Sequence, residues 1–530
     1  MALTAGGTMG SRVLGLLRES VFSAFFGTSS FAAAFIFAFQ IPNLFRRLFG
    51  EGAMTAALIP VMSAERKAGG KEQAFVFLNR VLRRVLPVLI AITILAAAGS
   101  LWVAWHWDDV ARVTHLDRVT DPGADFPLAA RLTAALMPYM PMICVAALFT
   151  GTLNMLGRFG LTALNAVWLN VAMIVSLGGI GYLYSDNPYH RVWWLAGGAI
   201  VGGLLQLFVP VWELWRQGWR PSMNAPEPSP EAWSELKTIF LPAVIGAGVQ
   251  QINLFATRFL ALGVEERALA VYNVANRIVE LPTGVFAVTV STVIFASLAA
   301  HVANGDKRAL AGDFAHGLRL IVAVNVAACA GIVALAEPIV RTVFEHKNFT
   351  ASDTAMTVPV LMIFSATLPF YGIVGICSRT LSAMKDTKTQ MKFAIRDLCL
   401  NAVLAPILGY YFKAPGLAAA NLVAVIYQAY TLFRVVRRRE TGIADENLAK
   451  PLLQAVVASI LMGLVAYAGW RVIGYLIPRP KVASFVTLLV MIPAGATFYF
   501  GLLKLAKYPE MDELLGIARR RMPFFKRLRV

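Results

Sequence analysis

Ile41–Ala53 reads "IPNLFRRLFGEGA", and it lies inside the longer run Ser30–Ala64, "SFAAAFIFAFQIPNLFRRLFGEGAMTAALIPVMSA". An apolar stretch of this length exceeds what a ~30 Å hydrocarbon layer needs, about 20 residues. Yet Arg46, Arg47 and Glu51 sit within it. The run is too long for one straight crossing, so the predicted helix bends, tilts or protrudes. Pro42, which removes a backbone donor, is the predicted bend. Arg47 and Glu51 are four apart and share a helix face. Two readings stand for the arginines: snorkelling anchors at the headgroups, or a functional cation set inside the bundle.

The rest of the chain repeats this pattern. Of 530 residues, 58% are hydrophobic and 15% charged, with mean hydropathy +0.64. A soluble domain is nearer half apolar and a quarter charged. Long apolar runs, not short alternating strands, exclude a β-barrel. The fold class is therefore an all-α integral membrane protein. Fourteen transmembrane helices are predicted at 5–27, 29–64, 85–105, 126–154, 160–183, 192–214, 238–262, 268–300, 314–340, 355–378, 393–410, 416–433, 451–471 and 482–503.

The net charge of +18 follows from topology. Lys and Arg gather in "ERKAGGKEQAFVFLNRVLRR", "RTLSAMKDTKTQMK", "RVVRRRETGIADENLAK" and the tail "DELLGIARRRMPFFKRLRV", while loops such as "HWDDVARVTHLDRVTDPGADF" are acidic or mixed. The positive-inside rule places both termini in the cytoplasm, and no nucleic-acid partner is needed. The tail reads either as a basic helix on anionic headgroups or as a plain topology anchor. Cys144, Cys329, Cys377 and Cys399 fall in apolar spans, without metal spacing, and read as small buried hydrophobes. The N-terminal stretch lacks the pattern of a cleavable signal peptide.

"LNVAMIVSLG" at Leu169–Gly178 returns as "LNAVLAPILG" at Leu400–Gly409. Together with a second weak correspondence in the same order, this implies two parallel six-helix pseudo-repeats with two extra C-terminal helices, a transporter design. The expected divisions are an N-terminal bundle at 1–220, a linker at 221–237, a C-terminal bundle at 238–440, helices 13 and 14 at 441–507 and a basic tail at 508–530.

Ionisable groups inside a bilayer cost ~2.5–3.5 kcal/mol each at helix centre, so their placement is informative. Span 1 carries Arg12, Arg18 and Glu19; span 2 carries Asn43, Arg46, Arg47 and Glu51. Span 7 offers Gln250, Gln251 and Asn253, and span 8 the stripe Asn273, Asn276, Arg277 and Glu280. Arg12 and Glu19, seven apart, share a face, whereas Arg18 is turned by about 100° from Glu19. These groups are expected to line a wet cavity between the halves. Its arginines outnumber its acids and suit phosphate or carboxylate. In the bland alternative the acids simply pair with the arginines.

Asp397 and Asn401, four apart in span 11, form a candidate Na⁺ pair, against which stands a salt bridge from Asp397 to the adjacent Arg396. No catalytic motif is present, and Asp108 and Asp109 read as solvated loop acids.

"SRVLGLLRE", "FQIPNLFRRLFGEGAMTAALIPV" and "NRIVELPTGVFAV", with "FTASDT" and "SAMKDTKT" further on, resemble the MurJ (MviN) lipid II flippases of the multidrug/oligosaccharidyl-lipid/polysaccharide exporter superfamily. The likeness covers nearly the whole chain. It implies a fourteen-helix, non-enzymatic transporter of the bacterial plasma membrane. Its substrate would be lipid II, an undecaprenyl-pyrophosphate-linked peptidoglycan precursor, moved from inner to outer leaflet by alternating access. Carried over by position, the pyrophosphate-binding arginines would be Arg12, Arg18, Arg46 and Arg277, with Glu51 also matching. Helices 13 and 14 would hold the lipid tail. No cofactor is implied beyond a coupling ion, Na⁺ or H⁺, or the membrane potential. The implied partners are lipid II, the bilayer and cell-wall synthesis machinery. Ala33 and Gln40 depart from the family pattern, which often has an aspartate and a basic residue there. The rival readings are a related drug or oligosaccharide-lipid exporter, a polyprenyl-phosphate-dependent glycosyltransferase, and a scaffold.

Overall fold

The computed structural model describes residues 2–47, 53–114, 121, 123–158, 160, 164–222, 230–384, 386–439, 448–514 and 516. Among these, every regular element is a helix. The helices are α1 (Ala2–Phe26), α2 (Ser30–Phe45), α3 (Ala53–Trp105), α4 (Trp107–Thr114), α5 (Phe126–Leu136), α6 (Tyr139–Met155), α7 (Asn165–Ile174, continued by a π-helical segment Val175–Gly181 and a last turn Tyr182–Tyr184) and α8 (Pro188–Arg216). They continue with α9 (Pro230–Val264), α10 (Ala268–Asn304), α11 (Lys307–Ala334), α12 (Ala336–Phe344), α13 (Ala351–Ser365), α14 (Leu368–Ala383), α15 (Thr387–Arg439), α16 (Ala449–Leu476) and α17 (Pro480–Leu505). Eight helical stretches are long and apolar enough to cross a membrane among the described residues, or nine when the bent pair α5–α6 counts as one.

Local chemistry explains where the long helices break. Within α3 the backbone leaves helical geometry at Gly69 and Gly70, the latter at φ 75°. The basic hairpin "ERKAGGKEQ" is thus a turn between two helices. In α15 the break is Lys413 at φ 56°, just before Pro415, which cannot continue a helix hydrogen bond. Gly416 completes that turn: a Cβ there would lie 1.9 Å from the Leu408 carbonyl oxygen, so only glycine lets the two segments close. The expected boundaries between spans 2 and 3 and between spans 11 and 12 fall at these two breaks.

The expected single helix over 29–64 is seen as α2 and the first part of α3, with residues 48–52 between them outside the described residues. Pro42 occupies the last turn of α2, and Arg46 and Arg47 follow in a π-type turn. A missing proline N–H loosens the ladder, and a wider turn is one way the chain absorbs it. Glu51 lies outside the described residues.

The chain divides into two compact units. The first comprises Met1–Ala270 with His346–Phe349, and the second Val271–Glu345 with Thr350–Val530. In the first unit α8 packs on α6 and α7, α5 on α2 and α3, and α9 on α3. Its core gathers Leu58, Phe77, Leu78, Tyr139, Ile143 and Phe149. The Tyr139 hydroxyl finds Gln206 Oε1 at 3.1 Å, since a buried hydroxyl needs a partner. His346–Phe349 fold onto the end of α1: Asn348 donates from its backbone N–H to the Ala24 carbonyl at 3.0 Å and from Nδ2 to the Phe25 carbonyl at 2.7 Å.

In the second unit α16 packs along α11 and α17, around Phe314, Leu318, Ile321, Met462 and Leu503. "FTASDT" becomes the start of α13, where Thr350 and Asp353 form a capping box. The opposite faces of these helices carry exposed Leu464, Tyr467, Leu489 and Ile492. Apolar surface this extensive on a soluble protein would aggregate; facing lipid it is solvated. Cys144 and Cys377 are buried and Cys329 is half-buried, but Cys399 is exposed on α15, contrary to the expectation that all four are enclosed.

Candidate functional site

In the first unit, α1 presents Arg18 and Glu19 as a direct ion pair. Arg18 Nη2 lies 3.0 Å from Glu19 Oε2, and the side chains are 17% and 8% exposed. Helical spacing alone suggested that these neighbours diverge. The long arginine stem curls back over the intervening angle because both charges are removed from solvent and neither is cheaply buried alone. The other guanidinium nitrogen, Nη1, reaches Met173 Sδ on α7 at 3.9 Å. The backbone of Arg12 belongs to the same helix, two turns earlier; its side chain lies outside the described residues.

Arg46 is positioned by the sequence that surrounds Pro42. Asn43 Nδ2 donates to the Phe39 carbonyl at 3.0 Å, and its Oδ1 accepts from Arg46 Nε at 3.1 Å. Asn43 therefore steers the guanidinium from one turn away. Arg47, next to it, is half-buried; its expected partner Glu51 is outside the described residues. Gln251 is buried on α9, and its Oε1 has no hydrogen-bond partner among the described residues. The Gln250 side chain is outside them.

Arg258 on α9 was not anticipated. It is 9% exposed, and its Nη1 donates to Gln40 Oε1 on α2. The signal was present as a lone charge in the apolar "NLFATRFLALG", masked by the richer polar groups one and two turns earlier. Its partner is Gln40, one of the two positions expected to depart from the family pattern. Here the cation comes from α9 and α2 supplies a neutral acceptor. The other departure, Ala33, is 2% exposed in a wholly apolar turn of α2, an environment with no place for a lone carboxylate.

In the second unit the predicted stripe on α10 closes on itself. Arg277 Nη1 lies 3.0 Å from Glu280 Oε2, and Asn276 Nδ2 donates to Glu280 Oε1 at 3.1 Å. The two charged side chains are 35% and 43% exposed. Asn273 is half-buried one turn before, and Pro282 lies inside α10. The stripe thus combines a neutralised carboxylate with a cation that remains open to its surroundings.

Asp397 and Asn401 stand one turn apart on α15, half-buried and buried. The anticipated salt bridge from Arg396 to Asp397 is not formed. The Arg396 guanidinium instead lies over the Phe393 ring three residues back on the same helix, 5.1 Å from its centroid, where a cation gains from an aromatic face. Outside the spans, Asp386 in "SAMKDTKT" accepts from Thr389 N at 3.0 Å and Thr389 Oγ1 at 2.6 Å, and pairs with Arg439. These partners, the Thr389 hydrogen bonds first, hold its pKa down to about 2.

The comparisons bear directly on this arrangement. The family model "Lipid II flippase MurJ" matches residues 22–478. A probable lipid II flippase MurJ of Rhizobium tropici is 32% identical over 472 residues, spanning 88% of this chain and 86% of the relative. The lipid II flippase MurJ of Burkholderia cenocepacia is 27% identical, with 94% and 95% covered. Among solved structures, a lipid II flippase MurJ in an inward closed conformation aligns at TM-score 0.76 and 23% identity, covering 95% of this chain and 99% of that one. An inward-facing multidrug resistance transporter of the MATE family aligns at TM-score 0.66 and 15% identity, covering 84% and 99%. The structural likenesses carry the fold; the sequence match carries the kinship, and by it the chain belongs to the lipid II flippase MurJ family.

Proposed function

We propose that this chain is a lipid II flippase, moving undecaprenyl-pyrophosphate-linked peptidoglycan precursor from the inner to the outer leaflet by alternating access. The observation that carries the reading is a family match across residues 22–478 that coincides with arginines on its apolar helices. The family is one of transporters rather than of enzymes, and the protein belongs to the bacterial inner membrane as a multi-pass helical chain.

In this reading Arg12, Arg18, Arg46 and Arg277 recognise the pyrophosphate. Glu19, Asn43 and Glu280 hold three of those guanidinium groups in place, as the distances on α1, α2 and α10 allow. Arg47, Glu51, Gln250, Gln251, Asn273 and Asn276 supply polar surface for sugars and peptide, and Pro42 the weakened turn about which α2 moves. A pyrophosphate would otherwise be carried through hydrocarbon at a prohibitive solvation penalty. The chain crosses the membrane fourteen times, as two six-helix repeats with helices 13 and 14 added for the lipid tail, and keeps both termini in the cytoplasm. Energy comes from Na⁺ or H⁺ or from the membrane potential, worth ~2.3 kcal/mol per charge per 100 mV. Asp397 and Asn401 are the groups to test for Na⁺. Cell-wall synthesis enzymes are the expected consumers of the product.

The MATE likeness keeps one rival in view, an exporter of cationic drugs. Conditional depletion followed by leaflet-resolved measurement of lipid II separates the two. Precursor accumulating on the inner face supports the flippase, and an unchanged distribution rejects it. Charge reversals R46E and R277E, at matched expression, should each fail to restore the outward pool; restoration by both would favour the rival.

A further inference from the structure

A second cationic feature lies away from all of these residues, at the ends of α6 and α8 in the first unit. A cavity of about 570 Å³ opens there, lined by Arg158, Gly160, Glu213, Arg216 and Gln217. The chain leaves α6 through Gly157 at φ 81°, and the Arg158 backbone N–H returns to the Leu153 carbonyl at 2.9 Å, which fixes where that side chain starts. Glu213 is buried on the last turn of α8, with its side chain 8% exposed.

The hydrogen bonds inside this cavity are distributed unevenly. Gln217 Nε2 donates to Glu213 Oε1 at 2.9 Å, and Gln217 Oε1 accepts from Lys71 Nζ, also at 2.9 Å. The two arginines stand further off: Arg158 Nε is 4.0 Å and Arg216 Nη1 3.9 Å from the Glu213 carboxylate. Charge-assisted hydrogen bonds close to about 2.7–2.9 Å. Glu213 therefore attracts both guanidinium groups without engaging their donors, and the side chains are 58% and 70% exposed. Three cations around one carboxylate leave the cavity positive, with two donor forks facing open space.

The level of this cavity relative to lipid is marked by its neighbours. Trp212 and Trp215, on the same two turns of α8, are 54% and 52% exposed, and Arg220 lies over the Trp215 ring at 5.4 Å. Exposed tryptophans at a span end mark the headgroup region. We propose that this cavity is a binding site for a phosphate-bearing anion, held in the forks of Arg158 and Arg216 at headgroup depth. A lipid headgroup and a soluble phosphate share the chemistry, and the test separates them. This site is independent of the transport reading and of the arginines that serve it.

The experiment is native mass spectrometry of the full-length protein offered phosphatidylglycerol or phosphatidylcholine, with a parallel thermal-shift titration of inorganic phosphate. R158Q/R216Q should lower phosphatidylglycerol retention by about fivefold per arginine, the equivalent of ~1 kcal/mol per surface cation, and leave phosphatidylcholine unchanged. E213Q, which removes the counter-charge and keeps the shape, should raise phosphatidylglycerol retention, a gain that misfolding cannot mimic. If inorganic phosphate instead stabilises the protein with the same arginine dependence, the site stands and its anion is soluble. Equal behaviour of wild type, R158Q/R216Q and E213Q toward both anions overturns the proposal. Leaflet-resolved lipid II measurements on the same variants report the transport reading separately.

Discussion

Two ion pairs on apolar helices, one in each unit, differ in how far their charges are buried. In the first, Arg18 and Glu19 are 17% and 8% exposed, and Arg258 is buried against Gln40. In the second, Arg277 and Glu280 form an equally short pair but remain 35% and 43% exposed. Equal distance does not mean equal energy. A buried pair has already lost its hydration, so removing one partner strands the other. An exposed pair trades protein contacts for water at little net change. The Arg18–Glu19 pair is thus built into the packing of its unit, whereas the Arg277–Glu280 pair stays partly exposed.

That contrast can be broken by truncating the acids. Glu19→Ala should destabilise the protein by about 3 kcal/mol, and Glu280→Ala by under about 1 kcal/mol, read as thermal unfolding in one detergent. Similar losses from both would erase the distinction. Arg258 sharpens it next. Arg258→Ala should cost about 2 kcal/mol, leaving a cavity and a buried amide short of its donor, while Arg258→Met, which refills the volume without supplying a donor, should recover only the packing part of that loss. If Arg258→Met is stable yet fails to complement a flippase-depleted strain, this buried arginine joins the substrate-binding set. Asn43→Ala should cost about 1 kcal/mol and lower transport with little change in folding, because it releases Arg46 Nε; unchanged transport in a leaflet assay would show that Asn43 does not aim that guanidinium.

The smallest effect concerns pH. Asp386 has a folded-state pKa lowered to about 2. The stability it supplies is therefore complete above the ordinary carboxylate pKa and is lost as pH falls toward 2. Asp386→Asn should flatten that acid limb, measured as the melting temperature between neutral pH and the acid end. An unchanged slope would mean that other carboxylates carry it.

The fold was largely legible because its signals are local. Apolar run length located the helices, and Gly69–Gly70 and the Lys413–Gly416 turn separate helices that composition alone would merge. The arginine set was legible too, since a charge inside an apolar run is conspicuous. Its partners were not. Helical spacing turned Arg18 away from Glu19 and adjacency paired Asp397 with Arg396, whereas Arg18 reaches Glu19 and Arg396 lies on Phe393. A helical wheel records where Cβ points and ignores the reach of a long, flexible stem. Arg258 was overlooked because its partner, Gln40, is 218 residues away, a separation that no spacing rule addresses.

By itself, the sequence determined a polytopic helical membrane protein, the breaks between its long helices and the residues bearing charge within them, because solvent-transfer energies and backbone chemistry act over a few residues. Tertiary structure alone decided which charges are buried, which carboxylate each arginine takes, and that Arg158 and Arg216 stand around Glu213 beside exposed tryptophans. Those outcomes depend on which helices pack together, and packing is a property of the whole chain.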